Sequence, residues 1–213
     1  MQSEDGEKEA AMFFEYGEKE TEYLKRKDRR LGEVIERTGF IRREVDPDLF
    51  SSVVHQIVGQ QISMKAQATV FNRMLDDLNG MSAEKILSKD TAGLQAYGIS
   101  FRKAEYIREF AEKVESGEFV LEKLYTQTDE EAVRSLTSLS GVGVWTAEMI
   151  LLFCMQRPDI FSYQDLGIRH GLQILYHHKE IDRKCFEKYR KRFSPYGSVA
   201  SLYLWEVAGN AGK

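Results

Sequence analysis

Cysteine, proline and long apolar runs are all scarce in this 213-residue chain. Its two cysteines, Cys154 and Cys185, are too few for a disulfide framework and lack the spacing of metal ligands. Both read as buried or free thiols of a reducing cytoplasm, which is the expected location, nucleoid-associated if the source is bacterial. No stretch of about 18 apolar residues occurs, so no membrane span is expected. The acidic opening, Met1 to Glu9, has no apolar centre and is not a secretory signal. Only Pro47, Pro158 and Pro195 interrupt the chain, which leaves room for long helices. No segment alternates convincingly with period two, so strands are not expected. Positive charge is not in excess either, with 30 Lys and Arg against 34 Asp and Glu and a net charge of −4. That balance does not exclude a nucleic acid, because a phosphate needs only a local basic patch or aimed backbone amides.

What is present is helical punctuation. Asp46-Pro47 reads as a cap followed by a first-turn proline, and Phe50, Val53, Val54, Ile57 and Val58 repeat at helical spacing in a run to Ile62. Ser63 and Ser100 are caps for two further helices, and Gly117 is a terminator for the second. Thr128 with Glu131 makes a capping box, and Ser194-Pro195 repeats the cap-plus-proline signal before Val199 and Leu202. The basic clusters at 25–27, 29–30, 42–43 and 190–192 read mostly as solvated helix faces. The expected class is all-α, with roughly nine to eleven helices joined by short connections. Residues 1–12 are expected to form a tail, disordered or of cloning origin.

The most informative segment runs from Leu136 to Glu148, where two helical patterns meet at Gly141-Val142-Gly143. Glycine at both flanks permits positive φ and leaves no Cβ in the way of a ligand. The amides of Gly141, Gly143 and the next helical turn, which includes Thr146, would point outward and receive a DNA phosphate without any lysine. One helix later the chain returns through Gln164-Asp165-Leu166-Gly167, and Asp165 opens another helical pattern. A glycine turn alone is more often structural than functional; the carboxylate that follows shifts the reading. Asp159 and Glu148 are competing carboxylates of lower rank.

This pairing resembles the helix-hairpin-helix DNA glycosylases, in particular the 3-methyladenine DNA glycosylase II branch. The likeness is carried by Gly141 to Ala147, Gln164 to Gly167, Ile57 to Ala66, Tyr97 to Tyr106, Tyr196 to Ala200 and Tyr203 to Trp205. It spans about Asp46 to Trp205. The resemblance implies a two-lobed helical core with its active site in the interlobe cleft. One lobe would hold residues 49–157, with the hairpin at about 136–156, and the other residues 13–48 plus 158–213. It also implies a monofunctional glycosylase of base-excision repair, a monomer acting on double-stranded DNA with a damaged base. Asp165 would stabilise the cationic sugar while an alkylated purine such as 3-methyladenine or 7-methylguanine leaves.

Trp145 stands where bifunctional relatives carry a nucleophilic lysine, so no Schiff base and no strand cleavage by that route are expected. Trp145, Met149, Leu166 and Trp205 match base-pocket positions, where aromatic faces would attract a cationic base. Gln61 matches the wedge that fills the gap left by the everted base, with Gln60 beside it. Arg102 and Lys103, with Ser100, match positions near the duplex backbone. No cofactor is expected, although the carbonyls of Thr137, Leu139 and Val142 match a Na+ or K+ site. Gln164 departs from the family's frequent aspartate at that position. The rival readings are a non-catalytic, structure-specific DNA binder and, lowest, a regulator with a basic recognition helix, which the apolar segment after Gly143 does not supply.

Overall fold

The computed structural model describes residues 12–210. The expected tail therefore lies outside the described residues, except for Met12, which belongs to a strand. The elements are β1 (Met12–Phe13), α1 (Glu18–Lys27), α2 (Arg29–Thr38), β2 (Glu44–Val45), α3 (Leu49–Gly59), α4 (Met64–Leu78), α5 (Ala83–Leu87), α6 (Thr91–Gln95) and α7 (Phe101–Glu115). A 3-10 helix (Leu121–Thr126) leads to α8 (Asp129–Thr137), α9 (Val144–Phe153), α10 (Leu166–Tyr176), α11 (Arg183–Phe193) and α12 (Gly197–Asn210). The class is helical as expected. The helices exceed the expected number because α5 and α6 are five residues each, shorter than the window in which a 3.6-residue period declares itself. The antiparallel ribbon β1–β2, Met12 opposite Val45, is likewise too short to show alternation. None of the described helices is long and apolar enough to cross a membrane.

Local rules explain most boundaries. Ser63, Ser100 and Thr128 cap α4, α7 and α8 as expected, the last in a capping box with Glu131. Gly117, in the left-handed region at φ 74°, follows the end of α7. Two boundaries differ. The cap of α3 is Asp48, whose side chain accepts the Ser51 amide at 2.9 Å, while Asp46 accepts the amide of Asp48; Pro47 precedes the helix rather than opening it. The helix also stops at Gly59, before Ile62. At the other end Ser194 does not cap α12. Asp159 does so from a distant loop, accepting the Gly197 amide at 2.9 Å and the Ser194 hydroxyl at 2.6 Å.

The helices pack in two groups: α1, α2, α10, α11 and α12 among themselves, and α3 to α9 among themselves. Apolar burial binds both, with Val53, Val54, Ile57 and Val58 of α3 and Ile150, Leu151 and Leu152 of α9 fully buried. Each such side chain contributes about 1.5–3 kcal/mol. Helix α10 lies directly on the backbone of α12, since a Cβ at Gly171 would come within 2.3 Å of the Leu204 carbonyl oxygen. The segment before α10 is stitched to α12 as well. The Ile160 amide donates to Ser198 Oγ at 2.9 Å, and Ser201 Oγ donates to the Ile160 carbonyl at 3.2 Å. These bonds fix the direction in which the chain enters Asp165.

Candidate active site

Asp165 is the N-cap of α10 and is only 7% exposed. Its Oδ1 accepts the Ile168 amide at 2.8 Å and the Trp205 indole N–H at 2.9 Å, and its Oδ2 accepts the Trp145 indole N–H at 2.8 Å. Three donors from α9, α10 and α12 thus converge on one carboxylate. A carboxylate has roughly four acceptor positions, so this one retains a free lone pair. Desolvating an anion is costly unless hydrogen bonds replace water, and here they do. The indoles therefore present their N–H edges to Asp165. Trp205 stacks on Phe153 with ring centroids 5.6 Å apart, and Gly167 is required beneath it, because a Cβ there would come within 2.7 Å of the indole. Trp145 remains 40% exposed and Leu166, beside the carboxylate, 71% exposed, whereas Met149 is buried.

Across from Asp165 lies the turn between α8 and α9. Gly141 has φ 80°, and the Tyr106 ring approaches so closely that a Cβ would stand 2.3 Å from it. Gly143 needs no such freedom: its φ is −88° and nothing lies within 4 Å of a Cβ built there. It is the N-cap of α9 and provides no side-chain cap, so the first amides of α9 have no side-chain partner at the positive end of the helix dipole. The Thr146 side chain is buried, leaving only its amide for this role. Among the described residues the Thr137 and Val142 carbonyls accept no backbone amide, while Leu139 accepts that of Val142 at 3.1 Å.

The turn after α3 is tied to this hairpin. Gln60 Nε2 donates to the Gly141 carbonyl at 2.6 Å, which turns Gln60 inward rather than toward solvent. Lys103 Nζ donates to the carbonyls of Val58 at 2.9 Å and Gln60 at 2.7 Å, closing the C-terminus of α3. Burial pulls its ammonium below the usual lysine value. Arg102 lies over Tyr106 and donates to its hydroxyl. Gln61 is exposed at the tip of the turn with φ 57°, a conformation that a non-glycine residue adopts only under constraint. Tyr106, to which the sequence assigned no role, supports both Gly141 and Arg102.

The competing carboxylates are otherwise engaged. Asp159 caps α12, and Glu148 accepts the Ser162 hydroxyl, with burial raising its carboxyl above the usual range. No group of three or more His, Cys, Asp or Glu arranged to hold a metal occurs among the described residues.

Set beside known proteins, residues 54–195 match the HhH-GPD superfamily base excision DNA repair protein family, and the chain belongs to it. DNA-3-methyladenine glycosylase 1 of Schizosaccharomyces pombe is 30% identical over 164 residues, 75% of this chain and 72% of that protein. A DNA-3-methyladenine glycosidase structure from Bacillus halodurans superposes with a TM-score of 0.83 at 34% identity, covering 94% of both chains. The S. pombe 3-methyladenine DNA glycosylase Mag1, in complex with abasic DNA, gives 0.79 at 26% identity, covering 92% of this chain and 98% of that one.

Proposed function

We propose that this protein is a monofunctional DNA glycosylase that removes alkylated, cationic purines such as 3-methyladenine and 7-methylguanine from duplex DNA. The observation that carries the reading is the buried Asp165 carboxylate, held by two indole N–H groups and a backbone amide beside an open helix N-terminus. The relatives' names agree with it. In the reaction the C1′–N bond of the everted nucleotide breaks and its electron pair leaves with the base. The sugar becomes an oxocarbenium-like cation, which the fixed carboxylate stabilises electrostatically. Water then adds to C1′ and releases a proton. A base that is already positive leaves as a neutral molecule, so modest electrostatic help suffices. The exposed ring of Trp145 offers such a base a π face worth about 0.5–2 kcal/mol.

The other residues divide the binding work. The α9 amides, from Gly143 through Thr146, receive a backbone phosphate. A Na+ or K+ bound to the Thr137, Leu139 and Val142 carbonyls would bridge the hairpin to that phosphate; the free Thr137 and Val142 oxygens fit such an ion. Gln61 fills the space of the everted base. Lys103 and Gln60 hold the turn that presents it, and Arg102 flanks the duplex. Residues 49–157 and the remainder act as two lobes between which the base enters. With tryptophan at position 145, no amine attacks the sugar.

The test is release of free 3-methyladenine and 7-methylguanine from methylated duplex DNA by the monomeric protein, with borohydride added in parallel. Base release without a trapped protein–DNA adduct is expected. Duplex binding with no release would favour the non-catalytic binder, and a strong adduct would expose an attacking amine.

A further inference from the structure

We infer that a second phosphate site lies one turn beyond Asp165, where Arg169 of α10 and Arg183 of α11 converge on Tyr163. Both guanidiniums lie over this one ring, 5.2 and 4.9 Å from its centroid. The ring is held in turn by Phe186, edge-on at 5.2 Å. Both charges lie over one ring; among the described residues Glu187 pairs with Arg183 at 3.1 Å, Glu148 adds a weaker attraction to Arg183, and no carboxylate pairs with Arg169. Among the described residues Arg169 has no ion pair, and its Nε–H is buried without an acceptor. That buried nitrogen is out of a phosphate's reach, but among the described residues the terminal nitrogens of Arg169 make no hydrogen bond or ion pair either. A planar guanidinium oriented on an aromatic ring matches a phosphodiester.

The shelf also sits where a duplex would pass. Arg169 follows Asp165 by one helical turn, about 6 Å along α10, and its amide donates to the Asp165 carbonyl at 3.2 Å. A strand whose everted sugar faces Asp165 carries its neighbouring nucleotides at a rise of about 3.4 Å each. A flanking phosphate therefore falls within reach of the guanidiniums. Gln164, His170 and Lys184, the chain neighbours of Tyr163, Arg169 and Arg183, are exposed, as is Arg183 itself. This site supplies positive charge that the net composition conceals. It rests on the glycosylase reading only for the identity of the strand, a DNA backbone.

The experiment measures Kd for a fluorescent duplex carrying a tetrahydrofuran abasic site, by anisotropy, between about 50 and 200 mM salt. Arg169→Gln with Arg183→Gln is expected to weaken binding about tenfold at the low-salt end and to flatten the plot of log Kd against log salt by about 1 to 2, since each phosphate contact contributes about 0.9. Lysine at both positions should restore most of the slope, which loss of packing would not do. Base release at saturating duplex should stay within about twofold of the parent, placing the loss in binding. An unchanged slope and affinity in the folded double variant would overturn the proposal. Should that variant fail to fold, Arg183→Gln alone decides it, because this side chain is 65% exposed and its removal leaves the fold intact. A parent that binds the duplex but releases no base would refute the glycosylase reading, while the salt slope would still decide the phosphate shelf.

Discussion

Replacing Trp205 with phenylalanine separates holding the carboxylate from lining a pocket. The substitution keeps an aromatic ring against Phe153, 5.6 Å away, and removes the single donor that reaches Asp165 Oδ1 from α12 at 2.9 Å. A hydrogen bond to a charged group is worth about 1.5–3 kcal/mol. At 1.36 kcal/mol per tenfold, loss of that bond predicts a single-turnover rate of base release lower by about ten- to a hundredfold. Trp145 and the Ile168 amide still hold the other contacts, so the lower end of that range is the expected value. Trp145→Phe should cost a similar factor through Oδ2. The assay is release of 7-methylguanine at saturating enzyme, with duplex affinity measured separately. A rate within about twofold of the parent would refute the reasoning, as would a loss confined to affinity.

Four further outcomes follow from named contacts. Gly141→Ala should lower stability by about 1–3 kcal/mol, because it meets the Tyr106 ring and sits at positive φ. Gly143→Ala, with open space and ordinary φ, should leave the melting temperature nearly unchanged yet weaken DNA binding; equal melting temperatures for both variants would contradict this. Burial raises the Glu148 carboxyl above 4.5, so the folded chain keeps this proton after the unfolded chain has released it. That stabilisation is fully present below 4.5 and is lost as pH rises through the folded value. Glu148→Gln should therefore gain stability relative to the parent as pH rises above 4.5, and a difference in melting temperature that stays constant with pH would count against it. Arg192 pairs at 2.6 Å with Asp28, which is only 6% exposed and caps α2. Arg192→Ala removes a charged hydrogen bond from Asp28, which keeps the Leu31 amide, and because Arg192 is itself 43% exposed the cost in urea unfolding should be about 1–2 kcal/mol; a loss below about 0.5 kcal/mol would contradict it.

Much of this was readable from the residues, for local reasons. Caps such as Ser63, Ser100 and Thr128 act within three residues, so their signals survive in the sequence. Asp165 was legible as the cap of α10, and the same residue carries the proposed catalytic role. What escaped depends on partners distant in the chain. Asp159 caps α12 from 38 residues away, and Lys103 closes α3 across 45. No periodicity announces either bond. The two tryptophans were legible as aromatic positions, but the direction of their N–H edges is set by how α9 and α12 pack around α10. The basic run ending at Arg192 read mostly as solvated, whereas that residue neutralises buried Asp28. Residues such as Tyr163 and Tyr106 acquire meaning only once other helices deliver arginine or glycine to their rings.

The most direct measurement is the single-turnover rate of 7-methylguanine release by Asp165→Asn. The amide keeps the shape and can still accept the Ile168 and one indole N–H, but carries no charge to oppose the cationic sugar. A fall of about a hundredfold or more, with abasic-duplex affinity preserved, is the predicted result. Release at the parental rate by the folded variant would contradict the assignment of Asp165.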